Sequence, residues 1–226
     1  EFRQVMEYAK KTYFGDGGYY RKDGRLFFSI YNAAVFTGDM GGAEATRALL
    51  REYPEVHFNA MVINVAEART IASVGFDSAT AYGVNPYAFY EYPESGVKSA
   101  GRQVFTYDEF AAVQRPFNET LAKHVRIPFL PVVMRGWDAS PRCALPEPFP
   151  WTQLSFPYLP IVTGAKAEIF ARLVSAAVTQ AKRGSVKPGA ILVNAWNEYS
   201  EGSYLMPCER HGNAFLKELK ACVSGR

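Results

Sequence analysis

Two glutamates three residues apart, Glu198 and Glu201, sit in the stretch "ILVNAWNEYSEGSYLMP" (191–207), which begins as an apolar run. A buried strand has no use for carboxylates at its tip, whereas a catalytic rim does. Carboxylates held close together repel, which raises the proton affinity of one and divides the pair into a base and an acid. Hydrolysis of a glycosidic bond uses that division. Asn197 adjoins the pair, Gly202 and Ser203 permit a tight backbone path, and Trp196, Tyr199 and Tyr204 offer faces for sugar rings. The plainer reading is two surface glutamates in a loop, because the bare spacing ExxE is a weak signal. Their place directly after an apolar run is what favours chemistry.

Other residues with chemical capacity also follow apolar runs. Trp137, Asp138 and Arg142 lie just past one such run. Trp137 suits the underside of a sugar ring, and Asp138 or Arg142 suits its hydroxyls; a loop staple between Asp138 and Arg142 under a Trp137 cover is the alternative. Tyr31, with Asn32, and Tyr82 end two further runs and are candidates for the same rim. Tyr87, Tyr90 and Tyr92 follow as a candidate aromatic wall, although core packing accounts for such tyrosines equally well. His57 and His124 read as structural, His211 as a solvated loop residue, and Glu67 with Arg69 as an exposed pair. No two histidines stand at a zincin-like spacing and no GxSxG elbow occurs, so metal hydrolysis and serine esterase chemistry lack an anchor. No cofactor and no metal are expected.

Periodicity supplies the elements that must carry these residues. Helices are predicted over 1–13 (Phe2, Val5, Met6 and Ala9 on one face), 41–53, 66–73, 106–125, 163–183 and 212–223, and strands over 26–31, 56–64, 76–82, 127–136 and 190–196. Thr106 and Glu109 have capping-box spacing, and Pro116 predicts a kink or break. Apolar strands alternating with helices imply a parallel sheet covered on both faces. The long connections, 32–40, 83–105, 137–162 and 197–211, all follow strands, as in α/β proteins whose site lies at the carboxyl ends of the strands. No GxGxxG or GxxxxGK[ST] follows a strand, which weakens dinucleotide and P-loop readings. A (β/α)8 TIM barrel is the better expectation. About five β/α units are present, so residues 1–226 are expected to be one domain forming the carboxyl-terminal portion of a barrel. Its amino-terminal half would then be three further units preceding Glu1 in a parent protein.

The composition agrees with a globular protein: 226 residues, 48% hydrophobic, 15% aromatic and 21% charged, with a formal net charge of +3. Basic residues do not run beyond pairs such as Lys10 and Lys11, which argues against nucleic acid as a partner. No run of 18 apolar residues suggests a membrane span. Cys143, Cys208 and Cys222 form no CxxC pair; one bridge is allowed, so the compartment is left open.

The motif "NAWNEYSEGSYLMP" (194–207) resembles N-x-W-N-E-W-x-E-G-x-Y-L-x-P of the WbsX-like proteins, relatives of the family 99 glycoside hydrolases (endo-α-mannosidases). "VVMRGWDASPR" (132–142) and "YYRKDGRLFFSIY" (19–31) are similar to two further segments of that group. The resemblance implies a (β/α)8 barrel and retaining hydrolysis of internal α-linked, mannoside-like bonds in an oligosaccharide or polysaccharide. It further implies that Glu198 deprotonates the sugar 2-hydroxyl, which attacks the anomeric carbon, while Glu201 protonates the departing oxygen and later activates water. Tyr199 stands where the group commonly has Trp, and Met206 where it often has an acid. The group's glycosyltransferase label makes a transferase of cell-surface polysaccharide assembly the alternative, although no Asp-x-Asp pair is present. A non-catalytic sugar-binding relative is a third reading.

Overall fold

The computed structural model describes residues 1–84, 88–142, 160–183 and 189–224. Its spine is a run of parallel strands in chain order. Arg25–Ile30 pairs with Val56–Val62, which pairs with Ser78–Ala81, and Val132–Met134 pairs with Leu192–Asn194. The two groups are joined by a parallel bridge between Ala79 and Phe129, where Ala79 N donates to Pro128 O and Leu130 N to Ala79 O, each at 2.8 Å. The α/β alternation read from the sequence is therefore present, with every one of these pairings parallel.

Past that bridge the sheet opens. The backbone groups of Val132 and Met134 that face away from Leu192–Asn194 are taken by side-chain amides of the helix Tyr107–His124. Asn118 accepts from Val132 N at 3.0 Å and donates to Val132 O at 2.9 Å. Gln114 accepts from Met134 N at 2.9 Å and donates to Met134 O at 3.2 Å. Buried backbone polar groups must find partners, and two buried amides supply them where a strand does not. The helix is opened by the Thr106–Glu109 capping box, as its spacing predicted. Pro116, expected to kink or break it, lies inside the helix without ending it. Val113, Phe117 and Leu121 bury one face on both sides of the proline, and this packing holds the helix through the missing hydrogen bond.

Other expectations are corrected in detail. Residues 32–40 were expected to be a loop but contain the helix Ala33–Asp39, capped by Asn32, whose Oδ1 accepts from Val35 N. The first helix is regular over Phe2–Ala9 and widens into a π turn over Lys10–Phe14; Met6 and Ala9 are buried, but Val5 is exposed. Glu67 forms no exposed pair with Arg69. It caps its own helix, Oε2 accepting from Ile63 N at 2.8 Å. His57 is buried in the core, with Nε2 2.8 Å from Ser78 Oγ and its ring stacked on Phe27, which agrees with a structural role. Short segments Val104–Thr106 and Ile161–Thr163 form a separate parallel pair.

Apolar side chains of the strands and of the helices around them make a single core cluster, into which Phe58, Phe105, Phe110, Phe117 and Phe170 are fully sunk. Among the described residues no helix is long and apolar enough to cross a membrane. Cys208 and Cys222 are free thiols; Cys143 lies outside the described residues.

Candidate active site

The last parallel strand, Leu192–Asn194, runs into a small antiparallel hairpin in which Glu198 faces Ser203 and Asn197 faces Tyr204, closed by a 3-10 turn over Tyr199–Glu201. Gly202 makes that turn. Its φ of +63° is left-handed, and a Cβ there would stand 3.2 Å from Asp138 N and 3.3 Å from Asp138 Cβ. The close approach lets Asp138 N donate to Glu201 O at 2.7 Å. Beneath the hairpin, Ser203 Oγ donates to Asn194 O at 2.6 Å, and Asn194 Nδ2 donates to Tyr82 O at 3.0 Å. Three strand ends thus lock the backbone that carries the two glutamates.

Both carboxylates converge on one guanidinium. Arg142 Nη2 lies 3.1 Å from Glu198 Oε1 and Nη1 lies 3.0 Å from Glu201 Oε1, while Nε donates to Ser200 Oγ at 3.0 Å. Ser200 Oγ in turn donates to Glu198 Oε1 at 2.5 Å. Tyr82 Oη donates to the other oxygen of Glu201 at 3.0 Å. The repulsion expected between two close acids is therefore offset by a shared cation. The Ser200 hydroxyl, and then Arg142, hold the Glu198 carboxyl below its ordinary range. Burial first, and then the Glu201 carboxylate, push the Tyr82 phenol up to about 12. Glu201 is only 5% exposed, whereas Glu198 is half-buried.

The aromatic candidates fall into two groups. Tyr31 stands edge-on to Tyr82, ring centroids 5.4 Å apart, so these two join the Glu201 side; Tyr31 is 63% exposed. Trp137, Asp138, Tyr199 and Tyr204 line a separate hollow of about 420 Å³ with Arg135, Arg210 and His211, and neither glutamate lines it. Tyr199 and Tyr204 lie with ring centroids 4.3 Å apart. Trp196 is 56% exposed and Asn197 is exposed on the outer face of the hairpin. Asp138 is occupied on one oxygen, its Oδ1 accepting from Ser140 N at 3.0 Å and Ser140 Oγ at 2.6 Å. No Asp138–Arg142 staple forms; Arg142 reaches the glutamates instead. Tyr92 is buried in the core and packs edge-on to Phe117, so it builds no wall at the rim. Tyr87 and the Tyr90 side chain lie outside the described residues.

Sequence reasoning gave no role to Arg135 and ranked substrate binding by His211 below a solvated loop position; both line the hollow. Their positions carry no motif of their own. The only available signal was that Arg135 immediately precedes the Gly-Trp-Asp segment. Among the described residues no group of three His, Cys, Asp or Glu side chains is arranged to hold a metal ion.

The family model described as Glycosyltransferase WbsX matches residues 1–219. No curated protein matches. The GH99 endo-alpha-mannosidase from Bacteroides thetaiotaomicron is similar in structure, with a TM-score of 0.51 at 14% identity over 98% of this chain and 60% of that one. A second structure of that enzyme, in complex with Bis-Tris-propane, gives a TM-score of 0.56 at 15% identity over 98% and 63%. At such identities the likeness concerns the fold. The chain spans about 60% of the length of these structures.

Proposed function

This chain belongs to the Glycosyltransferase WbsX family, and from that premise we propose that it supplies about five β/α units of a (β/α)8 barrel and the catalytic pair of a retaining glycoside hydrolase. Residues 1–226 are one catalytic domain in this reading, completed by an amino-terminal barrel half. The substrate is an oligosaccharide or polysaccharide with internal α-linked, mannoside-like bonds. The observation that carries the proposal is the convergence of Glu198 and Glu201 on Arg142 at the carboxyl end of the last parallel strand, where α/β proteins of this kind place their chemistry.

In the first step Glu198 takes the proton of the sugar 2-hydroxyl, O2 attacks the anomeric carbon, and the bond to the leaving oxygen breaks. Glu201 gives its proton to that oxygen. In the second step Glu201 takes a proton from water, the hydroxide attacks the anomeric carbon, the three-membered ring opens, and Glu198 returns its proton to O2. Two inversions give net retention. An ionised Glu198, held so by Ser200 and Arg142, suits the base. Both oxygens of Glu201 are already engaged, Oε1 in the ion pair with Arg142 and Oε2 accepting from Tyr82. Proton delivery therefore requires the leaving oxygen to replace one of these contacts. Tyr31 and Tyr82 on one side, and Trp137, Asp138, Tyr199 and Tyr204 on the other, are the proposed sugar contacts, with Trp196 and Asn197 at the outer edge and Arg142 as the group that aligns the pair.

The test is hydrolysis of α-mannan oligosaccharides by the intact protein, followed by proton NMR of the first-formed product. The α-anomer is expected; the β-anomer as first product sinks the proposal. A glycosyltransferase is the second reading, favoured by the family's own description. Sugar transfer from a nucleotide-sugar donor, without hydrolysis of oligosaccharides, would establish it.

A further inference from the structure

Arg135 carries a permanent charge that no carboxylate among the described residues balances. Its residue is 4% exposed, its Nε has no hydrogen-bond partner, and it forms no ion pair among the described residues. The guanidinium is stacked between two rings instead, 3.9 Å from the centroid of Tyr204 and 4.6 Å from that of Phe215. Arginine does not shed its proton in proteins, and ring faces offset only part of the lost hydration. Arg25 and Arg102, both partly buried, meet Asp77 and Glu109, and the more exposed Arg142 meets both site glutamates.

Arg135 lines the hollow of about 420 Å³ beside the hairpin, together with Trp137, Tyr199, Tyr204, Arg210 and His211. Among the described residues the charged groups on its wall are two arginines and one carboxylate, Asp138, which is already engaged by Ser140. The imidazole of His211 registers the excess. Burial first, and then Arg135 and Arg210, hold it below its usual range. A planar guanidinium matches the paired oxygens of a carboxylate or a phosphate, and aromatic walls match a sugar ring.

We propose that this hollow binds an anionic group carried on a sugar, a carboxylate or a phosphate, with Arg135 as its countercharge and Arg210 at the rim. The proposal rests on reading Trp137, Tyr199 and Tyr204 as glycan contacts. It makes the glycan or the sugar donor negatively charged at this subsite, beside the glutamate pair and not between its members.

Calorimetric titration of the chain with glucuronate, glucose 1-phosphate and glucose tests it. At least one anionic sugar is expected to bind about tenfold or more tighter than glucose, with affinity falling as salt rises. Preference for glucuronate assigns the subsite to an acidic glycan, and preference for glucose 1-phosphate to a phosphorylated sugar. Arg135→Gln should lose the preference and Arg210→Gln should weaken it severalfold. If Arg135→Gln fails to fold by circular dichroism, Arg210→Gln carries the test. Glu201→Gln should bind the anionic sugar like the parent chain, which separates this subsite from the catalytic reading. Equal affinity for all three sugars, no binding of any, or unchanged preference in folded arginine variants overturns the proposal.

Discussion

Tyr82 Oη lies 3.0 Å from Glu201 Oε2, a bond between residues 119 positions apart. It ties the end of the Ser78–Ala81 strand to the hairpin after the last strand, so that Glu201 is aimed by a side chain from another part of the sheet. Tyr82→Phe removes this donor and keeps the ring. The expected cost is roughly 1.5–3 kcal/mol, the range for hydrogen bonds to charged groups. Urea denaturation measures it, and a midpoint equal to that of the parent chain would show that the bond does not hold the site.

Glu201→Gln keeps the shape of the side chain and its contact with Arg142 but cannot deliver a proton. In the proposed hydrolase, turnover by the intact protein should fall by about 10²- to 10⁴-fold, as expected for loss of a general acid, with oligosaccharide affinity little changed. Undiminished turnover would refute its assigned role.

Ser200 and Arg142 hold Glu198 ionised. Its folded pKa lies below the ordinary 4.5, so its contribution to stability is complete above 4.5 and is lost as pH falls through the lower folded value. Ser200→Ala and Arg142→Gln should each move the carboxyl titration upward, the former more. Carbon-13 NMR of the Glu198 side-chain carboxyl reads this directly; titrations that coincide with the parent's contradict the network.

Glu109 gives a similar but purely structural dependence. Arg102, together with Thr106, lowers its pKa to about 2 from 4.5. The stabilisation is present above pH 4.5 and disappears as pH falls toward 2. Glu109→Gln should therefore be less stable at neutral pH and should lose less stability on acidification. Parallel stability curves for the two proteins would disprove it.

Gly202→Ala places a Cβ at a left-handed position against Asp138. The backbone alone should cost about 1–2 kcal/mol, and the Asp138 N to Glu201 O bond should lengthen. Thermal unfolding should show a lowered midpoint, with the proposed hydrolysis by the intact protein falling alongside it. A midpoint matching the parent's would mean that the turn relaxes freely.

Much of this was legible in the chain itself, because local patterns have local causes. The alternation of Val56–Val62, Ser78–Ala81 and Leu192–Asn194 with helices announced a parallel sheet, and Thr106 with Glu109 announced a helix start. Glu198 and Glu201 stood out because carboxylates are costly beside a buried strand unless they have partners. The helix Ala33–Asp39 was missed because seven residues containing Thr37, Gly38 and Asp39 carry too little periodicity to distinguish it from a loop.

What tertiary structure decided was the partners. Nothing in the spacing of Arg142 distinguishes a staple to Asp138, four residues away, from a bridge to two glutamates in another segment; only the approach of Gly202 to Asp138 settles it. Nor does spacing reveal that Tyr82 reaches Glu201, or that Arg135 lies between Tyr204 and Phe215 without a carboxylate among the described residues. Periodicity records which face of an element is buried. Side-chain partners from distant segments are set by how the elements pack, and the electrostatics of the pair, including the shared cation that offsets its repulsion, exist only once that packing is made.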